Sequence, residues 1–484
     1  MGHATSFTSK AVDAPVVLNW EDLQLHVSHA TREPKHVDLR TRFSTHIPLA
    51  VPFVASPMDT VTERRTAIAM ARRGAIGVIH RNNSVEEEVA EVAAVKRAES
   101  FIIRDVRTVD SGTKLSVAMG MMEGTGISGL PVLSDGRVIG IITKRDTWGV
   151  DRSASDLTVD QVMTRDVATA REGITEDEAR KLLHEHKVEK LPIVDQDGKL
   201  VGLVTRKDID LREGYKDAAR DSQGRLVVAA AVGPYDVERA RRVLRAGADA
   251  IVIDVAHFDN ENLVVPARKI VDEAAGRDVV VGNLGDYDAV TNIVRRIDGV
   301  AGLRMGIGSG SICKTTEVTG AGSPTPFAVA QAADALHDNG LAIPVIADGG
   351  IRGPREISLA FALGASTAMM GHVFAGCEEC PTQVFEMDGG RYKMYWGMGS
   401  RQARERRMVV DRYADSGGKG IEEGIATVVP YKGPIDGVVS QLIDGVRASL
   451  GYAGASSIDE MHSAKIDRVV SRPTKSTPKN PSGR

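Results

Sequence analysis

Cysteine is scarce in this chain, with 3 in 484 residues: Cys313, Cys377 and Cys380. That excludes a disulfide framework and makes a reducing, cytoplasmic setting the default expectation. No apolar run reaches the roughly 18–20 residues of a membrane-spanning helix, and the longest candidate, Ile47–Ala55, is broken by proline. The opening residues MGHATSFTSK lack a basic segment followed by an apolar stretch, so no secretion signal is expected. An excess of charge is also missing. With 61 basic against 65 acidic residues and a net charge of −4, the chain presents no general field for nucleic acid or an anionic membrane. Aromatics are only 4%, whereas glycine is abundant at 49 residues, in a chain that is 42% hydrophobic and 26% charged. This is the balance of a soluble α/β protein with a sizeable core and many tight turns. At roughly 100–200 residues per domain, the length predicts two to four domains.

One internal repeat is present. ISGLPVLSDGRVIGIITKRD (Ile127–Asp146) returns as VEKLPIVDQDGKLVGLVTRKD (Val188–Asp208), offset by 61–62 residues. Each copy reads as strand, Asp-Gly turn, strand, then a helix beginning near Thr143–Asp146 or Thr205–Asp208. Helical stretches, Leu115–Glu123 and Glu176–Lys187, precede the two copies. Either side of the repeat, short apolar runs alternate with amphipathic helices. The strands expected are 52–58, 74–80, 226–233, 250–256, 279–284, 303–308, 344–350 and 367–372. Eight buried strands, each followed by a helix, point to a parallel (β/α)8 barrel. The repeat is then an insertion after the second β/α unit. The organisation expected is barrel over 1–100, repeat module over 101–215, barrel over 216–467 and a Pro- and Ser-rich solvated tail over 468–484.

The segment GIGSGSICKTT (Gly306–Thr316) carries the most chemistry. Alternating glycines after a strand let the backbone approach a ligand closely. A cysteine on such a loop, at the C-terminal mouth of a barrel, is a candidate nucleophile, although a free cysteine is more often buried and inert. ADGGIRGPRE (Ala347–Glu356) ends strand seven with Asp348, Gly349 and Gly350, and MGH (Met370–His372) ends strand eight. Glycines after these two strands commonly hold phosphate through backbone N–H groups. Asp348 is placed beside them to accept ribose hydroxyls. The joint reading is a nucleotide monophosphate beside a nucleophilic thiol.

These motifs occur in order with ASPMDTVTE (Ala55–Glu63), YWGMGS (Tyr395–Ser400) and VPYKGP (Val429–Pro434). Together they resemble the IMP dehydrogenase/GMP reductase family over nearly the whole chain, and the repeat resembles an inserted tandem CBS pair. The resemblance implies that Cys313 attacks C2 of the purine in a covalent intermediate. It implies phosphate contacts at Ser56, Ser311, Gly350, Gly371 and Tyr395, with Gly349 and His372 in the same loops and a ribose contact at Asp348. A purine-facing set of Met58, Met398, Gly399 and Glu423 follows, as do Asp254, Asn283 and Gly306 around the nicotinamide of NAD. Carbonyls of Gly308, Gly310 and Cys313 match positions that bind potassium. Thr143, Asp146, Thr205 and Asp208 match positions that hold a regulatory adenine or guanine nucleotide. The family is usually tetrameric, and CBS pairs can dock tetramers into octamers.

Within the family the motifs divide. Arg412 and Tyr413, in a long flap over about 400–428, match the pair that activates water in dehydrogenases, with Thr315 and Glu423 as a proton-relay pair common to both branches. The Thr-Gly step in EVTGAGSP (Glu317–Pro324) and FAGCEEC (Phe374–Cys380) lean instead towards reductases, which consume NADPH and GMP. Thr325 replaces the usual glutamine, and AHFDNEN (Ala256–Asn262) places Phe258 and two acids near the dinucleotide site. IMP dehydrogenase is the leading expectation; the alternatives are GMP or purine-analogue reduction and a catalytically weak nucleotide sensor. Three signals read as structural. Cys377 and Cys380 lack a second ligand pair for zinc, His80 reads as a packed histidine, and RQARERR (Arg401–Arg407) reads as a solvated helix.

Overall fold

The computed structural model describes residues 14–30, 32–98, 101–104, 106–150, 156–405 and 424–469. The chain divides into two compact units, one of residues 1–96, 217–221 and 226–484, the other of 97–216 and 222–225.

The larger unit is a closed eight-stranded parallel barrel. Its strands are β1 (Phe53–Ala55), β2 (Ile76–Ile79), β3 (Ala229–Val232), β4 (Ala250–Asp254), β5 (Asp278–Leu284), β6 (Val300–Met305), β7 (Val345–Asp348) and β8 (Thr367–Met370). All eight lie within the apolar runs read from the sequence or overlap them. They are continuous rather than alternating because a parallel strand between barrel interior and helix layer is buried on both faces. The ring closes where Ala368 pairs with Phe53 and Val54 with Ile76. Helices α1 (Arg64–Arg72), α2 (Val85–Arg97), α3 (Val237–Ala246), α4 (Glu261–Ala274), α5 (Tyr287–Arg296), α6 (Thr325–Asp338), α7 (Pro354–Ala362) and α8 (Ile435–Ala453) follow the strands in turn. Local caps set several starts: Asp236 accepts from Arg239 N–H at α3, and Asp286 from Ala289 N–H at α5.

The barrel interior is filled by Val54, Val78, Ala229, Ala231, Val252, Val280, Ile346 and Met369. Phe43, Ile47 and Leu49 from the hairpin Thr41–Ser44/Ile47–Leu49 join this cluster. Thr45 N–H donates to Ala301 O, at the start of β6, so the hairpin closes the N-terminal end and leaves the C-terminal end open. After β8 the chain adds an antiparallel sheet absent from the sequence reading: β9 (Val384–Met387), β10 (Gly390–Trp396) and β11 (Ala426–Pro430).

The smaller unit contains two equivalent three-stranded sheets, Val109–Asp110/Gly129–Ser134/Arg137–Thr143 and Ala170–Arg171/Lys190–Val194/Leu200–Thr205. Helices Leu115–Thr125 and Glu176–Glu185 pack on them. The core positions repeat with the sequence: Leu130, Val132 and Ile142 in one copy, Leu191, Ile193 and Val204 in the other. The expected helix after each second strand forms only once. Arg206–Glu213 is helical, with Thr205 as its N-cap. After Thr143 the chain makes turns instead, with Gly149 in the left-handed region (φ 83°).

Candidate active site

The open end of the barrel holds a cleft built from the loops after β1, β4, β5, β6, β7 and β8 and from the end of β10 and the residues after it. After β1, Ser56 N–H donates to Met370 O at 3.1 Å, and Ser56 O accepts from Thr62 Oγ1 at 2.8 Å. That turn carries Met58 to within 3.8 Å of Tyr395 Oη. After β6, the loop from Gly306 to Cys313 turns on Gly306 and Gly308, both left-handed (φ 116° and 77°). Cys313 N–H donates to Gly310 O at 3.0 Å, which presents the thiol to the cleft, where Sγ lies 3.2 Å from Thr315 Oγ1. Ile425 N–H donates to Ile312 O, tying the chain after residue 424 to this loop.

Cys313, Thr315, Ser56, Met58, Ser311, Asp348, Gly349, Gly350, Gly371, His372, Tyr395, Met398 and Gly399 all line this one cleft. So do Asp254, Asn283, Gly306, Gly308 and Gly310. Arg412, Tyr413 and Glu423 lie outside the described residues.

A buried network orients one side of the cleft, and its centre, Arg304 on β6, escaped the sequence reading. Its guanidinium meets Asp254 Oδ1 at 2.7 Å and Asp348 Oδ2 at 2.8 Å. Burial alone disfavours that charge, but the Asp348 and Asp254 carboxylates more than offset it and hold Arg304 cationic. Asn283 uses both amide donors within the protein, to Gly306 O at 2.7 Å and Asp348 Oδ2 at 3.1 Å. It therefore offers the cleft its Oδ1 acceptor. Because Arg304 and Asn283 both converge on Asp348 Oδ2, the other carboxylate oxygen is left to accept a ligand's hydroxyls. Thr325 Oγ1 donates to Asp348 O at 2.8 Å, so the threonine that replaces glutamine braces the same residue. The only signal of Arg304 in the sequence was a charged residue inside an otherwise apolar strand, LRMGIG.

On the opposite side, a Cβ at Gly371 would sit 2.7 Å from Tyr395 Oη and 2.8 Å from Met58 Sδ, so any larger residue would push one of these two side chains out of place. Tyr395 stacks edge-on against His372, 5.8 Å between ring centres. Burial raises the Tyr395 phenol far above its usual range, so it acts as a neutral hydroxyl. Burial, with Lys432 and Arg352 nearby, holds His372 below the ordinary imidazole value.

The two acids of AHFDNEN do not enter the cleft. Asp259 accepts from Asn292 at 2.7 Å and Glu261 pairs with Arg296, both on α5, while Phe258 is buried. Cys377 and Cys380 are buried, with thiols pushed up by burial to about 12 and about 11. No group of three or more metal-binding side chains occurs among the described residues. His80 is a packed histidine whose Nδ1 accepts from Asn82 N–H at 3.0 Å. In the smaller unit, Thr143 and Asp146 line a second cleft with Lys144, Arg145, Lys187 and Lys190. Thr205 and Asp208 bond to each other at 2.5 Å and are not among its lining residues.

Fold and cleft define a (β/α)8-barrel protein with a glycine-lined cleft and a thiol at the C-terminal ends of its strands, and its relatives make it a purine nucleotide oxidoreductase. More narrowly, the chain belongs to the IMP dehydrogenase/GMP reductase family, whose domain profile matches residues 17–478. It is 48% identical over 439 residues to an inosine-5′-monophosphate dehydrogenase of Korarchaeum cryptofilum, covering 91% of each chain. It is 47% identical to that of Thermoplasma acidophilum, covering 93% of this chain and 91% of the other. Among solved structures it resembles a variant of GMP reductase from Trypanosoma brucei in complex with guanosine 5′-monophosphate. There the TM-score is 0.84 at 34% identity, over 95% of this chain and 97% of that one. Among the described residues no helix is long and apolar enough to cross a membrane.

Proposed function

We propose that the protein oxidises IMP to XMP with NAD through a covalent intermediate on Cys313. The observation that carries this reading is the convergence on one cleft of the Cys313 thiol, the unshared Asp348 oxygen and the Gly349–Gly350 and Gly371 loops. The Cys313 thiolate adds to C2 of the purine; NAD, which Asp254, Asn283 and Gly306 would hold, would supply the acceptor for the hydride that leaves C2. Water then attacks C2 of the thioimidate and expels the thiolate, releasing XMP. Thr315, 3.2 Å from the sulfur, is placed to hold that water or its proton. Arg412, Tyr413 and Glu423 are assigned to water activation.

Ser56, Ser311, Gly350, Gly371, His372 and Tyr395 are assigned to the phosphate, Asp348 to the ribose, and Met58, Met398 and Gly399 to the base. Asn283 Oδ1 suits the N–H2 of a nicotinamide carboxamide, with Asp254 and Gly306 beside it. Carbonyls of Gly308, Gly310 and Cys313 are neutral oxygens of the kind that replace potassium's hydration shell. Gly310 O keeps a lone pair free beyond its bond to Cys313 N–H, so the set fits an alkali cation. A regulatory nucleotide is assigned to the CBS-like unit at Thr143, Asp146, Thr205 and Asp208, and the assembly to a cytoplasmic homotetramer or octamer.

A second reading, NADPH-dependent reduction of GMP, is favoured by the Thr319-Gly320 step and by the likeness to a GMP reductase structure. Purified protein is supplied with IMP plus NAD, or GMP plus NADPH, and dinucleotide absorbance is followed. NADH formed only with IMP supports the dehydrogenase; NADPH consumed only with GMP replaces it with the reductase. Silence in both mixtures favours an analogue substrate or a sensor.

A further inference from the structure

Ahead of β1 the chain makes a single 3-10 turn, Trp20–Asp22, which sets a buried indole against the loop that follows β7. Trp20 Nε1 donates to Gly349 O at 3.2 Å, across 329 residues of chain. The ring lies so close to the next residue that a Cβ on Gly350 would sit 2.9 Å from Nε1 and 3.0 Å from Cδ1. Arg355, at the start of α7, fixes the turn in place: its Nη2 donates to Trp20 O at 2.6 Å and to Leu23 O at 2.5 Å. Leu23–Leu25 then pairs antiparallel with Ile466–Arg468, which ties down the far end of the turn.

Gly349 and Gly350 are both left-handed (φ 109° and 71°). Glycine adopts many backbone conformations at little cost, so the direction of the peptide between them is not set by the two residues themselves. The indole sets it. A trans peptide is planar, with its carbonyl oxygen and the following N–H on opposite sides. Gly349 and Gly350 line the cleft and Trp20 does not. Drawing Gly349 O towards the indole therefore turns the Gly350 N–H the other way, towards the cleft. Among the described residues that N–H has no protein acceptor. We propose that Trp20 is a positioning residue for the substrate phosphate, its indole N–H holding the Gly349–Gly350 peptide so that the Gly350 N–H donates into the cleft. This rests on the reading that the Gly349–Gly350 loop takes the phosphate.

The test uses Cys313 as reporter in the full chain. Its alkylation by iodoacetamide is timed with increasing IMP and, separately, inosine, which lacks only the phosphate. Trp20→Phe keeps an aromatic ring against the loop but loses the N–H. It should raise the half-protecting IMP concentration about fivefold while moving that of inosine less than about twofold. Equal shifts for the two ligands would mean a general loosening of the site, and no shift for IMP would mean that the bond orients nothing; either result would overturn the proposal. Where Trp20→Phe fails to fold, benzothienylalanine is placed at position 20, which exchanges only the indole N–H for sulfur. The same selective fivefold loss is expected there, and unchanged IMP protection would overturn the proposal. A parent protected by IMP far better than by inosine, with variants that do not discriminate in this way, removes the role of Trp20 alone. If inosine protects the parent as well as IMP does, the phosphate reading falls and takes this inference with it.

Discussion

Arg304 Nη2 lies 2.8 Å from Asp348 Oδ2, inside the barrel, with the Asp254 carboxylate 2.7 Å from the same guanidinium. Arginine's planar fork suits this bridge because it can meet two carboxylates from different strands at once. The bridge couples the end of β4 to the end of β7 across one side of the cleft. Removing the cation would leave the buried Asp254 carboxylate facing the half-buried Asp348 carboxylate. Arg304→Met should cost about 3–5 kcal/mol of stability, read as a lowered urea midpoint. Nucleotide affinity should fall with it because Asp348 loses its orientation. Arg304→Lys should lie between parent and Met variant in both measurements.

The three cysteines should separate by reactivity. Cys313 is partly exposed in the cleft, whereas burial raises Cys377 to about 12 and Cys380 to about 11. Because the thiolate is the reactive form, iodoacetamide at neutral pH should give one adduct per chain. Peptide mass spectrometry should place it on Cys313, with the other two modified only in denaturant.

His372 gives a dependence of stability on pH. Burial depresses its folded pKa below the unfolded value of 6.5. The unfolded chain then binds more protons as the solution is acidified, so this contribution is fully present above the unfolded pKa and is lost as pH falls below it. Between about pH 7 and about pH 5.5 the Tm of the parent should fall more steeply than that of His372→Gln. Parallel slopes would contradict the assignment.

Much of this architecture could be read from the chain, and the exceptions share a cause. Fully buried strands such as AIVID (Ala250–Asp254) announce themselves by uninterrupted apolarity. Glycine loops such as Gly306–Gly310 do so by spacing. Arg304 on β6 and Lys393 on β10, whose Nζ donates to Cys377 O and Cys380 O, were missed because a buried cation and a solvated one have the same letter; only the surrounding carboxylates or carbonyls distinguish them. The β9–β11 sheet was missed because its strands mix charged, aromatic and apolar residues, as in GRYKMYW, with no clean alternation. The turn after Thr143 shows the opposite failure, where the repeat promised a helix that only the second copy forms.

Arg412→Ala should divide the two halves of the proposed reaction. In a dehydrogenase it should leave a burst of NADH of about one equivalent per active site followed by slow turnover, since hydride transfer precedes hydrolysis. A reductase would show no such burst.

The most direct test of the whole account is to quench the protein during turnover with IMP and NAD and weigh the intact chain and its Cys313 peptide. The account predicts a purine nucleotide adduct on Cys313 that accumulates in Arg412→Ala and is absent from a turnover-dead Cys313→Ser. XMP formation by Cys313→Ser at a rate near that of the parent, with no adduct at any time point, would contradict it.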